Sequence, residues 1–241
     1  MIVRVTYEKG DKVRFLGHLD VTRIVQMSAS RARWPVKMSE GFSPKPRMDF
    51  GSPLPVGVAG YEEVFEVVLS EPRPLDWLAR TLATAFPSGF RVREIRPIPP
   101  GQESLADSIA ASNYDLDLKE VDASALSRAF DAFMADESVL LEVKRPKDTR
   151  QVDLRPFVLE AEVLSSGGEP NEPARCGSQV VGGTTRVTSS MTVRHDKGRT
   201  IRPQWVLSSL DRYGVELDPR EAIIDRRKIL FEQQSRDAGS A

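Results

Sequence analysis

MIVRVTYEKGDKVRFLGHLDVTRIVQMSASRARW, residues 1–34, is the stretch on which the fold turns. Over residues 2–8 the side chains alternate, Ile2, Arg4 and Thr6 on one side and Val3, Val5 and Tyr7 on the other. A period of two marks a strand, because successive side chains leave a pleated backbone on opposite faces. Lys9, Gly10, Asp11 and Lys12 supply a turn, and Val13, Arg14, Phe15 and Leu16 then resume an extended pattern. From Leu19 the spacing changes: Val21, Ile24, Val25, Ser28 and Ala32 recur at helical intervals, while Arg23, Arg31 and Arg33 fall among the polar positions. That pattern predicts an amphipathic helix laid on a sheet.

Working outward, Pro35 ends the helix, and residues 36–38 read as a short extended piece. Residues 39–60 are rich in glycine and proline and read as a shaped loop. Residues 63–69 (EVFEVVL) read as a strand, Leu75, Leu78, Ala79, Leu82 and Phe86 as a second helix, and residues 90–98 as a further strand. The resulting βαββαβ order predicts a ferredoxin-like domain over residues 1–100, both helices on one face of an antiparallel sheet. Pro97, Pro99, Pro100 and Gly101 then punctuate the chain.

The pattern begins again at residues 114–118, with a helical stripe at Leu126, Ala129, Phe130 and Phe133 and extended runs at 139–144 and 151–163. A Gly/Pro-rich insertion over 165–185, a strand at 187–194, a helix entered through Pro203 and a closing strand over 222–231 complete it. The expected class is α+β: two ferredoxin-like domains, 1–100 and 110–231, the second irregular, with a flexible tail over 232–241.

Composition narrows the chemistry. No run approaches the roughly 20 apolar residues that cross a bilayer, and the alternating first strand is no signal peptide, so a cytoplasmic location without membrane attachment is expected. The 241 residues include one cysteine, Cys176, and two histidines, His18 and His195. No disulfide, four-cysteine zinc site or iron–sulfur cluster can be built from that set, and no metal or cofactor is expected. The net charge of −1 is unevenly spread: residues 1–50 carry ten Lys/Arg against five Asp/Glu, and residues 51–140 seven against fifteen. The basic segment is therefore the expected anionic-ligand surface.

Two stretches of it stand out. In RFLGHLD, residues 14–20, a strand gives way to a helix N-terminus, where free amides favour anions. Arg14 suits a phosphate or carboxylate, Asp20 a helix cap or an orienting bond to His18, and His18 itself is a weak candidate for acid–base catalysis, since no nucleophile is legible beside it. In SEGFSPKPR, residues 39–47, Lys45 and Arg47 lie two apart, so an extended backbone aims both the same way, and Phe42 offers a stacking surface for a base. Neither GxxxxGK[S/T] nor GxGxxG occurs. A second basic patch is read at Arg145, Lys147 and Arg150, with Arg155 nearby, whereas His195 reads as part of a hairpin turn.

YEKGDKVRFLGHLDVTRI and MSEGFSPKPRMDFGSPLPVGVAGYEEVFEV, with VDLRPFVL, RPQWVL and IDRRKILF further on, resemble the DUF2344 family of radical-SAM-linked proteins. Arg14, His18, Leu19, Asp20 and Arg23 match its first motif; Ser39, Glu40, Gly41, Phe42, Pro44, Pro46, Pro53, Leu54, Gly57 and Glu63 match its second; Asp153 and Arg155 match a later one. Gly17 stands where many members carry serine. The resemblance implies a radical SAM enzyme as partner, with that enzyme supplying the cluster that one cysteine cannot hold, and points toward rRNA or tRNA. The first domain also resembles the ferredoxin-like domain of Cas6-type RNA endonucleases, in which a histidine near this position can assist cleavage. The leading expectation is an RNA-binding or substrate-presenting accessory protein in which Arg14, His18, Asp20, Arg23, Phe42, Lys45 and Arg47 form the interface. The alternatives are a metal-independent ribonuclease using His18 and a protein-interaction module that touches no RNA. Oligomeric state leaves no mark in the sequence.

Overall fold

The computed structural model describes residues 1–99, 101–144, 148–166 and 186–232. Most of the Gly/Pro-rich insertion with Cys176, the residues Arg145 and Lys147, and the tail beyond 232 lie outside them. The chain is α+β and folds as two compact units: residues 1–113, 195–199 and the stretch from Asp225 form one, residues 114–194 and 200–224 the other.

Unit 1 opens with β1 (Ile2–Lys9), α1 (His18–Arg31), β2 (Met48–Phe50), β3 (Ala59–Val68), α2 (Leu75–Ala85) and β4 (Phe90–Ile98). Both β3 and β4 pair antiparallel with β1, and β2 pairs antiparallel with β3. The resulting β4–β1–β3–β2 order, with two helices against one face, is consistent with a ferredoxin-like fold. Val3, Val5 and Tyr7 of β1, Phe65 and Val67 of β3, Val21, Val25 and Ala29 of α1, and Leu78 and Leu82 of α2 form the core between sheet and helices. The opposite face is dressed too: Arg4 is buried, binds the Glu66 carboxylate at 2.6 and 2.9 Å, and lies 4.1 Å from the ring centroid of Phe231.

Residues 13–16, expected as extended, turn instead: a 3-10 turn spans Asp11–Val13, and Leu16 N–H donates to the Val13 carbonyl. Glycine at position 89 makes room for it, since a Cβ there would lie 2.8 Å from Val13 Cγ1. Beyond β4 come a short helix α3 (Leu105–Ser108) and β5 (Ile109–Lys119), and the division between the units falls inside β5, after Asn113.

Unit 2 contains α4 (Ala123–Ala135), β6 (Leu140–Lys144), β7 (Thr149–Asp153), β8 (Val158–Ser166), β9 (Arg186–Arg194) and α5 (Pro203–Ser209), before the final strand β10 (Ile223–Phe231). Asp122 caps α4, its side chain accepting from the amides of Ser124 and Ala125. β6 and β7 form a separate hairpin, and β8 pairs antiparallel with β9. The expected extended run over 151–163 is broken by a 3-10 turn at Arg155–Phe157, where Pro156 has no amide to give a ladder. Along the chain the strand–helix–strand–strand–helix–strand order thus recurs, interrupted by the β6–β7 hairpin. Among the described residues no helix is long and apolar enough to cross a membrane.

Candidate functional site

Lys9 ends β1 in line with Val3, Val5 and Tyr7, so its stem points into unit 1, and the residue is 1% exposed. Its Nζ donates to the carbonyls of Arg14 (2.8 Å) and Val58 (3.1 Å), and burial lowers its pKa to about 8 against the opposing pull of Glu63. Glu63, also facing inward, receives Arg226 from β10: Nε donates to Oε1 at 2.8 Å, Nη2 to Oε2, and Nη2 also to the Ser52 carbonyl at 2.8 Å. Gly60 is required beside it, because a Cβ there would stand 2.4 Å from Glu63 Oε1. Tyr7, Lys9, His18, Ser52 and Glu63 line a cavity of about 10 Å³, room for about one water.

Arg14 is committed to this framework. Its Nε donates to the Gly57 carbonyl at 2.8 Å, Nη1 meets Asp11 at 2.7 Å and Nη2 meets Asp225 at 3.3 Å. His18 is the first residue of α1 and Gly17 its N-cap, with no side-chain capping bond. Asp20 is therefore three residues too deep to be the N-cap, and it is exposed. The His18 ring meets Phe50 edge-on at 6.1 Å, and burial lowers its pKa, so the neutral imidazole prevails at pH 7. Among the described residues no hydrogen bond reaches that ring, so no base–nucleophile pair is formed.

The second stretch builds a ribbon. Val36 bridges Leu69, Lys37 N–H donates to the Val68 carbonyl at 2.8 Å, and Val68 N–H to that of Arg47 at 3.0 Å, so the ribbon grows from β3. Its two limbs are zipped by Arg47 N–H to Lys37 O (2.9 Å), a Met38–Pro46 bridge, and Ser39 N–H to Lys45 O (2.8 Å). The Ser39 hydroxyl also accepts from Lys45 N–H at 2.9 Å. Lys37 therefore stands across from Arg47, with Lys45 two residues on from Arg47, and all three are exposed. Like charges facing each other across a ladder oppose folding; a bound anion reverses that penalty.

The ribbon belongs to a cationic segment. Residues 21–48 contain six Lys/Arg and a single acid, Glu40. Among the described residues Arg23, Arg33, Lys37, Lys45 and Arg47 have no ion pair. Arg33 holds φ 56° at the end of α1, a left-handed position usually given to glycine.

The second basic patch is only partly described. Arg150 is exposed, 3.9 Å from Asp148, whereas Arg155 donates to the carbonyls of Met134 (3.0 Å) and Val158 (2.8 Å) and fastens the end of α4 to the start of β8. His195 is buried; its Nε2 lies 2.9 Å from Ser112 Oγ, and burial, reinforced by Arg226, lowers its pKa to about 4.

Sequence reading missed Lys9, Lys37, Asp225 and Arg226. For Lys9 the signal existed, a charged residue at an inward strand position; for Lys37 it lay only in the ribbon's register.

The family described as "Uncharacterized protein conserved in bacteria (DUF2344)" matches residues 3–203. No curated protein matches the chain. A solved structure described as "Structure A of CRISPR endoribonuclease Cse3 bound to 19 nt RNA" is 11% identical, covers 86% of this chain and 90% of that one, and aligns with a TM-score of 0.20, a likeness too slight to carry an argument.

Proposed function

The chain belongs to the DUF2344 family, and from that premise we propose that it is an RNA-binding, substrate-presenting accessory protein for a separate radical SAM enzyme, acting on rRNA or tRNA. The observation that carries the RNA half is the ribbon: Lys37 across from Arg47, Lys45 beside them, none with an acidic partner among the described residues. Such an array is costly in an empty protein and suited to phosphates. Arg14, held by Gly57, Asp11 and Asp225, acts in this reading as scaffold, and Arg23, exposed on α1 and without an ion pair among the described residues, adds a further cation. The radical SAM half is supported by the resemblance of the N-terminal motifs alone. We read the repeated strand–helix order as a second ferredoxin-like domain.

RNA retained by the purified chain at near-physiological salt, and lost when Lys45 and Arg47 are both replaced by alanine without loss of fold, is the expected result. Each cation removed should weaken binding roughly tenfold. Cleavage in EDTA that vanishes in His18→Ala would instead favour the ribonuclease reading.

One observation favours the protein-interaction reading. Phe15, Leu19 and Val56 are all exposed, by 76, 73 and 62%; Phe15 lies beside Gly57, Val56 beside Gly17, and Leu19 two residues on from Gly17. Exposed apolar residues gathered in one region mark contact surfaces. A stoichiometric complex with the enzyme that survives nuclease treatment and dissolves in Leu19→Asp would support it.

A further inference from the structure

The tip of the ribbon carries a feature that phosphate binding does not use. Phe42 is fully exposed, at 112% of its reference area, and meets no other ring among the described residues. Gly41 beside it holds φ 118°, open to glycine, and a Cβ added there would find nothing within 4 Å. The tip is nevertheless held in shape: the double Ser39–Lys45 bonding closes it, and Pro44 and Pro46 fix the backbone of the returning limb. An aromatic ring thus projects on a braced loop, with three cations at its base that have no ion pair among the described residues.

We propose that this ribbon selects single-stranded RNA, an unpaired base stacking on Phe42 while neighbouring phosphates lie along Lys45, Arg47 and Lys37. The proposal rests on the RNA-binding reading and names the substrate class of that site. A projecting ring needs a base with a free face. In a duplex both faces of every internal base are already stacked, and the side chains that reach it meet grooves and backbone. Stacking is also tolerant of base identity, so the selectivity is for strandedness more than sequence. Lys45 and Arg47, two residues apart on one limb, lie about 6.6 Å from each other along the backbone, which lets successive phosphates of an extended strand reach both.

The test is anisotropy with the full chain and three probes: a labelled single-stranded RNA of about 12 nucleotides, long enough to fill such a site, its blunt duplex, and inorganic polyphosphate as a base-free polyanion. The single strand should bind the wild-type chain about tenfold more tightly than the duplex, and Phe42→Ala should lower single-strand affinity about tenfold. Polyphosphate binding should not change in Phe42→Ala, and Phe42→Trp should keep the preference. RNA binding that Phe42→Ala leaves intact, or lowers equally for strand and duplex, overturns the proposal while leaving the RNA reading in place. Wild-type protein that binds polyphosphate and neither RNA overturns both. Phe42 is fully exposed, so circular dichroism of the variant should match wild type.

Discussion

Glu63 and Arg226 join residues 163 positions apart inside unit 1. Neither charge is accessible, and the pair owes its tolerance to the two guanidinium–carboxylate bonds and to the bond from Arg226 to the Ser52 carbonyl. Glu63→Ala should therefore cost about 3–5 kcal/mol, because it strands the Arg226 guanidinium in the core. The double variant Glu63→Met/Arg226→Met should cost less than that single change; urea midpoints decide between them. His195 contributes through its proton. Its folded pKa of about 4 lies below the ordinary 6.5, so the unfolded chain takes up the proton first. The stability it lends is complete above about pH 6.5 and is lost as pH falls toward 4, roughly 3 kcal/mol in all. Urea titrations at pH 7 and pH 4.5 should show that loss in wild type and a smaller one in His195→Gln.

At the scale of elements, α1 ends where Arg33 takes a left-handed conformation, its amide bonding the Ser30 carbonyl and Trp34 N–H bonding that of Ala29. Glycine is the residue that geometry favours. Arg33→Gly should raise stability by up to about 1 kcal/mol, and in the RNA reading it should lower affinity, a trade that thermal melts and binding curves measure together. The elements of unit 1 were legible because their periods are long and clean: seven alternating residues in β1, four helical turns in α1. Residues 13–16 were too few to tell a strand from a turn. The ribbon was half legible. Lys45 and Arg47 announce themselves by spacing, whereas Lys37 joins them through a register that no local pattern carries. Arg14, conspicuous in sequence, is instead bound up with Gly57, Asp11 and Asp225, partners as distant as 211 residues.

Across the whole molecule, a net charge of −1 hides a concentration of cations in one segment of unit 1, five of which have no ion pair among the described residues. Sequence composition reveals that asymmetry; only the fold separates cations spent on internal carbonyls and carboxylates, such as Lys9 and Arg226, from those left for a ligand. The central claim is that Lys37, Lys45 and Arg47 bind RNA phosphates. The salt dependence of affinity tests it most directly, measured with one labelled RNA on wild type and on the Lys37→Ala/Lys45→Ala/Arg47→Ala variant. Three phosphate contacts on a single strand predict that the slope of log K against log salt becomes shallower by about 2 in the variant. Equal slopes for the two proteins would contradict the account.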